Sequence, residues 1–324
     1  MPDPGGLKKR VLAVGDVNVD IVFTGLNKIP LSEQESLALG LETLIGGQTG
    51  TTARAMCSLG LPVTFVGRVG DDDYGHKAIN ELAQAGIDIS GVLVDPSLKT
   101  GATVVLSTGK ERAFATYLGS ISEVRRADVK SEFISNAHHL HVGSYYLQET
   151  LRPDMLGLFR EAKKQDLTTS LDPGWDPFSE WSNDIFEVLG YVDVFLPNEV
   201  EAMRITGAEA PRKALDILAT FASTVVIKMG ARGCLAGNSK HALHCLGFKV
   251  PVMDVTSAGD IFNAGFLYGF LHGWSLEESA KFANACGAVS ISKVGSAGIV
   301  TSSTEVRDFL ATADSHRTLC GVEE

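Results

Sequence analysis

The sequence lacks the two glycine signatures by which many nucleotide sites are recognised. No Gly-x-x-x-x-Gly-Lys-Ser/Thr run occurs in its 324 residues, and no Gly-x-Gly-x-x-Gly follows the first strand candidate. A P-loop and a standard dinucleotide fold are thereby disfavoured. Positive charge is also scarce. The net charge is −11, which argues against a nucleic-acid groove or an anionic membrane surface as partner, though it leaves room for a local phosphate pocket. No apolar run approaches the ~20 residues that span a bilayer. Met1 to Arg10 carries charge, Pro and Gly without an apolar segment, so no secretory leader is expected. The five cysteines (Cys57, Cys234, Cys245, Cys286 and Cys320) form no Cys-x-x-Cys pair. An odd, scattered set fits small core residues in a reducing cytoplasm, the expected location.

Apolar residues and glycine are what the chain has in quantity. Hydrophobic residues make up 44% and glycines number 34, enough for a large core with many tight turns. Length alone allows two domains or one large α/β domain. No internal repeat is evident. From about residue 135 the pattern alternates, with strands expected at 138–142, 168–171, 193–196 and 224–228 and a helix from Pro153 to Lys164. Such alternation implies a doubly wound, mostly parallel sheet flanked by helices.

The most informative stretch is Asp254-Val255-Thr256-Ser257-Ala258-Gly259-Asp260. Small, turn-permissive residues lie between two carboxylates. Phe262, Phe266, Leu267, Phe270 and Leu271 then recur at helical spacing. Ser257, Ala258 and Gly259 would sit at a helix start, where unpaired N–H groups and the helix dipole make an anion site. Asp260 beside that site suits a general base acting on a hydroxyl that attacks a phosphate. An ordinary helix with a favourable first-turn Asp fits the same residues.

Near the N-terminus, Val11-Leu12-Ala13-Val14-Gly15 reads as a buried strand, and the next segment alternates so that Asp16, Asn18 and Asp20 share a face. These groups can hold a polyol or simply face solvent. Gly46-Gly47 precedes a helical run from Thr51 to Leu59, and such a pair marks a turn or a close approach to a ligand. The acidic triplet Asp71-Asp72-Asp73 reads better as a turn and helix start than as a metal site. Residues 87–118 read as short strands of an inserted sheet, with a hairpin at Thr108-Gly109-Lys110-Glu111; Arg112 or Tyr117 can face a ligand there. His139 and His141 share a strand face with His138 adjacent; packing is expected rather than metal binding.

Further on, Asp172-Pro173-Gly174 ends a strand where open α/β sheets bind ligands. Asn198 and Glu201 lie one helical turn apart, suited to a hydrated Mg²⁺ or to a helix cap. Lys228, Gly230 and Gly233 lie at a strand end and turn. Ser275-Leu276-Glu277-Glu278 is a capping box, and its helix carries Asn284.

Taken in order, Gly15/Asn18/Asp20, Gly46-Gly47, Val69-Gly70/Asp72/Gly75, Asn198/Glu201, Gly230/Gly233 and Ala258-Gly259-Asp260 resemble the motifs of the ribokinase/PfkB carbohydrate kinases over residues 11 to 300 or so. The resemblance implies a ribokinase-like fold spanning 1–324, with a small β lid from segments about 16–42 and 98–120. It implies transfer of phosphate from ATP to a hydroxyl of a small sugar or sugar-like acceptor (a ketose, an aldose or a sugar acid). Asp260 would be the base, and the N–H groups of Ser257, Ala258 and Gly259 the anion hole. Asp16, Asn18, Asp20, Gly46, Gly47 and Thr51 would hold the acceptor. Asn198, Lys228, Gly230, Gly233 and Asn284 would line the nucleotide, and Asn198 and Glu201 would serve Mg²⁺. Asp254, with Thr256 and the turn Lys293 to Gly298, would bind a monovalent cation such as K⁺, and the lid would pair with that of a second copy. Three departures stand out. Val255 and Ser257 replace the motif's Thr and first Gly, Thr51 replaces an Asn, and the Asn and Arg that often follow the position of Asp172 are missing. A nucleoside kinase of the same fold and a non-catalytic sugar or nucleotide sensor remain as alternatives.

Overall fold

The computed structural model describes residues 9–109, 111–293, 302–313 and 320–322. Strands are Val11–Val14 (β1), Asn18–Thr24 (β2), Gly40–Gly46 (β3), Val63–Gly70 (β4), Asp88–Asp95 (β5), Ala102–Ser107 (β6), Arg112–Tyr117 (β7), His139–Val142 (β8), Thr168–Leu171 (β9), Val194–Phe195 (β10), Thr224–Lys228 (β11), Cys234–Gly237 (β12), Ala242–Cys245 (β13) and Cys320–Val322 (β14). Helices are Gln48–Leu59 (α1), Asp73–Gln84 (α2), Ser131–Ser135 (α3), Met155–Lys164 (α4), Ile185–Leu189 (α5), Glu199–Thr206 (α6), Pro211–Leu218 (α7), Ala258–Leu271 (α8), Leu276–Ile291 (α9) and Ser303–Ala313 (α10).

The larger sheet runs β14-β13-β12-β11-β10-β9-β8-β1-β4-β5. It is parallel from β11 through to β5, and antiparallel at the β12–β14 edge. The unbroken apolar run of β1 is explained by burial on both faces. Val11 and Ala13 enter one core layer, with α1, α2, α8, α9 and α10; Leu12 and Val14 enter the other, with α3 to α7. Two glycines bring α8 and α9 together: a Cβ on Gly265 would lie 2.7 Å from Cys286 Sγ, and one on Gly269 2.7 Å from Ser279 Oγ. That close packing fixes the helix whose N-terminus forms the site.

The small sheet has the order β3-β2-β6-β7. Its first segment runs past residue 42, because β3 pairs with β2 along its whole length to Gly46. β5 differs from the sequence expectation. It joins the large sheet, parallel to β4, because α2 carries the chain back across the sheet as a βαβ crossover. The β6–β7 hairpin closes through Thr108 N–H to the Glu111 carbonyl at 3.1 Å; Lys110 lies outside the described residues. Asp72 caps α2 by accepting from Gly75 N–H, so the acidic triplet is a helix start.

His139 and His141 are fully buried and share Ser170 Oγ, at 2.7 and 2.8 Å, while His139 also meets Thr168 Oγ1 at 2.8 Å. Burial lowers both imidazoles, His141 to about 4, so both are neutral packing groups. No helix among the described residues is long and apolar enough to cross a membrane.

Candidate active site

The turn before α8 is shaped by Asp254. Its Oδ1 accepts from Thr256 N–H at 2.9 Å and Thr256 Oγ1–H at 2.7 Å. Ser257 then adopts φ 60°, a left-handed conformation uncommon for a non-glycine residue, and α8 begins at Ala258. Ser257 is therefore the residue flanking the helix, and its hydroxyl makes no cap bond. The first-turn N–H groups lack carbonyls four residues earlier within the helix. Ala258 N–H leans on the Val255 carbonyl at 3.4 Å, a long contact that competes weakly with an anion.

Two cavities meet at this helix start. Ala258 and Gly259 line one of about 590 Å³, together with Lys228, Gly230, Gly233 and Asn284. Ser257 and Asp260 line the other, of about 300 Å³, with Asp16, Asn18, Asp20, Gly47, Thr51 and Glu201. The first turn of α8 is thus a shared wall.

In the smaller cavity the expected residues hold different positions. Both Asp16 oxygens are taken by α1: Gln48 N–H at 2.9 Å, Thr49 N–H at 3.1 Å and Thr49 Oγ1–H at 2.6 Å. Asp16 anchors the start of that helix. Asn18 Nδ2 donates to Asp20 Oδ1 at 3.0 Å and Thr103 Oγ1 at 3.1 Å. Desolvation raises Asp20 to about 6, opposed by the Asn18 bond and reinforced by Asp16. Gly46 is required by Asp20, whose carboxyl would lie 2.3–2.5 Å from a Cβ there. Gly47 has φ 88° and would press a Cβ on Val17 Cα at 2.8 Å. Thr51 is buried on α1 and its N–H bonds the Gly47 carbonyl.

The cavity also recruits residues that carry no local signal. Gln48 Oε1 accepts from Ser144 N–H at 2.6 Å. Thr103 and Thr116 come from the lid, as does Phe114, while Trp175 comes from the turn after β9. Phe114 and Trp175 are 62% and 50% exposed, so their rings remain available to a ligand. Tyr117 lines a separate cavity with Asp72 and Lys99.

Beneath the shared wall lies a buried polar network. Lys228 Nζ donates to Asp172 Oδ2 at 2.6 Å and Asn263 Oδ1 at 3.1 Å, and Asn263 Nδ2 donates to the same Asp172 oxygen at 2.6 Å. Lys228 therefore points under α8: a Cβ on Gly259 would be 3.9 Å from its ammonium. Its charge supports the helix start from below, and the residue also lines the larger cavity. Asp172 raises Lys228, opposing the effect of burial. Asn263 was legible in principle, being three residues after Asp260 on one helix face. Asp260 exposes only a part of its surface, on the cavity side. Desolvation by the surrounding protein raises it well above the ordinary carboxylate range; Asp172, Asp16 and Asp20 add to the rise and Lys228 opposes it.

Asn198 and Glu201 form a complete capping box on α6. Asn198 Oδ1 accepts from Glu201 N–H at 2.9 Å, and Glu201 Oε2 accepts from Asn198 N–H at 2.7 Å. Burial raises Glu201 to about 7, with Asp172 adding and Lys228 opposing. Glu201 Oε1 is left over from the cap, which fits a hydrated Mg²⁺ arriving with phosphates better than a protein cage. Among the described residues no three His, Cys, Asp or Glu side chains cluster as a metal site.

On the nucleotide side, Gly230 and Gly233 both have positive φ, and a Cβ on Gly233 would strike the Cys245 carbonyl at 2.0 Å. Asn284 Nδ2 is committed to the carbonyls of Cys245 and Leu246 at 3.0 and 3.2 Å, so it holds the cavity wall. Asp254 Oδ1 accepts from Arg112 Nη2 at 2.9 Å, so a positive charge already sits at the residue expected to bind a monovalent cation. Val294 to Gly298, the rest of that expected cation site, lie outside the described residues.

Known proteins agree with this layout. The family model described as pfkB family carbohydrate kinase matches residues 8–302. Fructokinase-1 of Oryza sativa subsp. japonica is 28% identical, covering 95% of this chain and 99% of its own. The ribokinase of Haemophilus influenzae is 27% identical, covering 94% and 99%. A solved Arabidopsis thaliana ribokinase complexed with ribose and ATP superposes with a TM-score of 0.80 at 23% identity, covering 94% and 99%. Large parallel sheet, small lid sheet and motif order all concur, and the chain belongs to the pfkB family of carbohydrate kinases, phosphotransferases that act on a hydroxyl group.

Proposed function

We propose that the chain transfers the terminal phosphoryl group of ATP to a hydroxyl of a small neutral sugar or sugar-like acceptor. The observation that carries this reading is the shared wall: Ala258 and Gly259 face the larger cavity while Asp260 faces the smaller one. ATP takes the first and the acceptor the second. Asp260 accepts the proton of the attacking hydroxyl as the new O–P bond forms and the bond to ADP breaks. The N–H groups of Ser257, Ala258 and Gly259 stabilise charge on the transferring group, with the Lys228 ammonium behind them. Asn198 and Glu201 would hold Mg²⁺, through water or directly, and the ion would supply neutralisation of phosphate charge. Asn18 and Asp20 hold acceptor hydroxyls, and the lid limits water's access to the phosphate.

The smaller cavity is lined by Asp16, Asp20, Glu201 and Asp260, and by no Lys or Arg among the described residues. That lining favours neutral acceptors over sugar acids. A second reading, a nucleoside acceptor, is favoured by Phe114 and Trp175, whose rings can stack on a base.

The test is ATP consumption over ketoses, aldoses, sugar acids, inositols and nucleosides, with Asp260→Asn beside the wild type. Transfer is expected on a neutral acceptor and is expected to fall at least ~10²-fold in Asp260→Asn, with ATP affinity little changed. Near-normal turnover by the variant would remove Asp260 as base. No turnover on any acceptor would favour a binding sensor.

A further inference from the structure

Arg112 opens β7, at the edge of the lid. Alternate residues of a strand share a face, so Arg112, Phe114 and Thr116 point the same way, and the latter two line the acceptor cavity. The guanidinium reaches the turn before α8. Nη2 donates to Asp254 Oδ1 at 2.9 Å and Nη1 to Thr256 Oγ1 at 3.0 Å. The two partners lie 142 and 144 residues along the chain. Both charged side chains are largely enclosed, at 24% and 30% exposure. The same Asp254 oxygen also takes the Thr256 N–H and O–H. One residue later stands Ser257, at φ 60°.

We propose that Arg112 is a positioning residue whose guanidinium clamps the Asp254–Thr256 turn, and that this fixed positive charge does there the work of a dissociable monovalent cation. Four physical points support this. A guanidinium is always charged and its planar fork holds two acceptors at once. Bonds between it and a carboxylate are charge-assisted and short. An unneutralised Asp254 just ahead of the helix start would repel an incoming phosphate, and Arg112 cancels that charge. The left-handed Ser257 needs its neighbours to hold it, and the clamp fixes Thr256 and Asp254, one and three residues upstream. Since Arg112 belongs to the lid, the clamp also makes the shape of the anion site depend on the lid being seated over the acceptor. The inference rests on the kinase reading for what the anion site binds.

The experiment uses the full chain, as wild type, Arg112→Ala, Arg112→Lys, Asp254→Asn and the Arg112→Ala/Asp254→Asn pair. Phosphoryl transfer is measured in KCl against equal tetramethylammonium chloride, and ATP binding is measured by calorimetry in the same salts. Wild type is expected to change less than ~2-fold between salts. Losing bonds to a charged group is expected to cost Arg112→Ala about 10- to 100-fold in kcat and in ATP affinity, with a smaller change in acceptor KM. KCl is expected to restore part of that loss, Arg112→Lys to retain most activity without KCl, and the pair to be no worse than Arg112→Ala alone. A wild type that gains 10-fold or more from KCl overturns the proposal. So does an Arg112→Ala protein that matches wild type, or one whose loss KCl leaves untouched. If Arg112→Ala does not fold, Arg112→Lys and Asp254→Asn decide by the same criteria. If no acceptor is turned over, the kinase reading fails while the calorimetric arm still judges the clamp.

Discussion

Asp260 carries the chemistry and also a conflict. Desolvation and the carboxylates of Asp172, Asp16 and Asp20 raise its proton affinity, and Lys228 lowers it. A raised carboxyl is a stronger base, but it takes up a proton at a higher pH. The acid limb of kcat/KM is therefore expected above the ordinary carboxylate range, with activity lost as pH falls through it. Lys228→Met removes an opposing charge and is expected to move that limb to still higher pH. A limb that stays put would remove Lys228 from the tuning of Asp260. Stability follows the reverse sign. A carboxyl whose folded value lies above its unfolded one costs stability in full above the folded value, and the cost fades as pH falls from the folded value to the unfolded one. Asp260→Asn should thus melt higher than wild type at neutral pH, by thermal denaturation, and the gap should close in acid.

At the scale of elements, the turn from β3 into α1 shows how backbone serves the acceptor. Gly46 lets the Asp20 carboxyl lie against the chain, and Gly47 supplies the positive φ that starts α1. Gly46→Ala would force a Cβ into that carboxyl at 2.3–2.5 Å and displace it. The expected result is a rise in acceptor KM of about 10-fold or more, the loss of a bond to a charged group, with ATP affinity and fold retained. Gly47→Ala meets backbone at 2.8 Å and should lower the melting temperature first. An unchanged acceptor KM in Gly46→Ala would detach Asp20 from the acceptor. These elements were legible in sequence because their signals are local: the Gly pair, the Asn198/Glu201 and Ser275/Glu278 boxes, and the small residues before α8. What was not legible depends on packing between distant segments. Lys228 turns to Asp172 because Asn263 completes the network from another helix. Arg112 finds Asp254 across the lid, and Gln48 meets Ser144 only after both helix and strand are in place. Alternation identified β5 as a strand, but its sheet was decided by the α2 crossover. Asn198 and Glu201 illustrate a limit of another kind, since one spacing serves a cap and a metal equally.

For the molecule as a whole, charge bears on the choice of acceptor. The net charge of −11 sets a negative background, and the acceptor cavity adds Asp16, Asp20, Glu201 and Asp260. ATP faces the same background whichever acceptor is present, so the ratio of kcat/KM for two acceptors isolates the cavity. A like-charge pair at 4 Å costs about 1 kcal/mol in water and about 4 kcal/mol at an effective dielectric constant near 20. A neutral sugar is therefore expected to exceed its own carboxylic-acid derivative by about 10-fold or more at low salt, one decade per 1.4 kcal/mol. Salt reaches the outer part of this repulsion and the enclosed part less, so the ratio should shrink with ionic strength without vanishing. Acid should shrink it further, because burial raises Glu201 to about 7 and Asp20 to about 6 and both lose charge as pH falls. The measurement is the neutral-to-acid ratio between low and high KCl at two pH values. Equal use of both acceptors under all conditions would mean that a cation enters the cavity on binding. One candidate is Arg112, on the strand that supplies Phe114 and Thr116 to the cavity; it could enter only by releasing Asp254, and Arg112→Ala would then restore the preference for the neutral sugar.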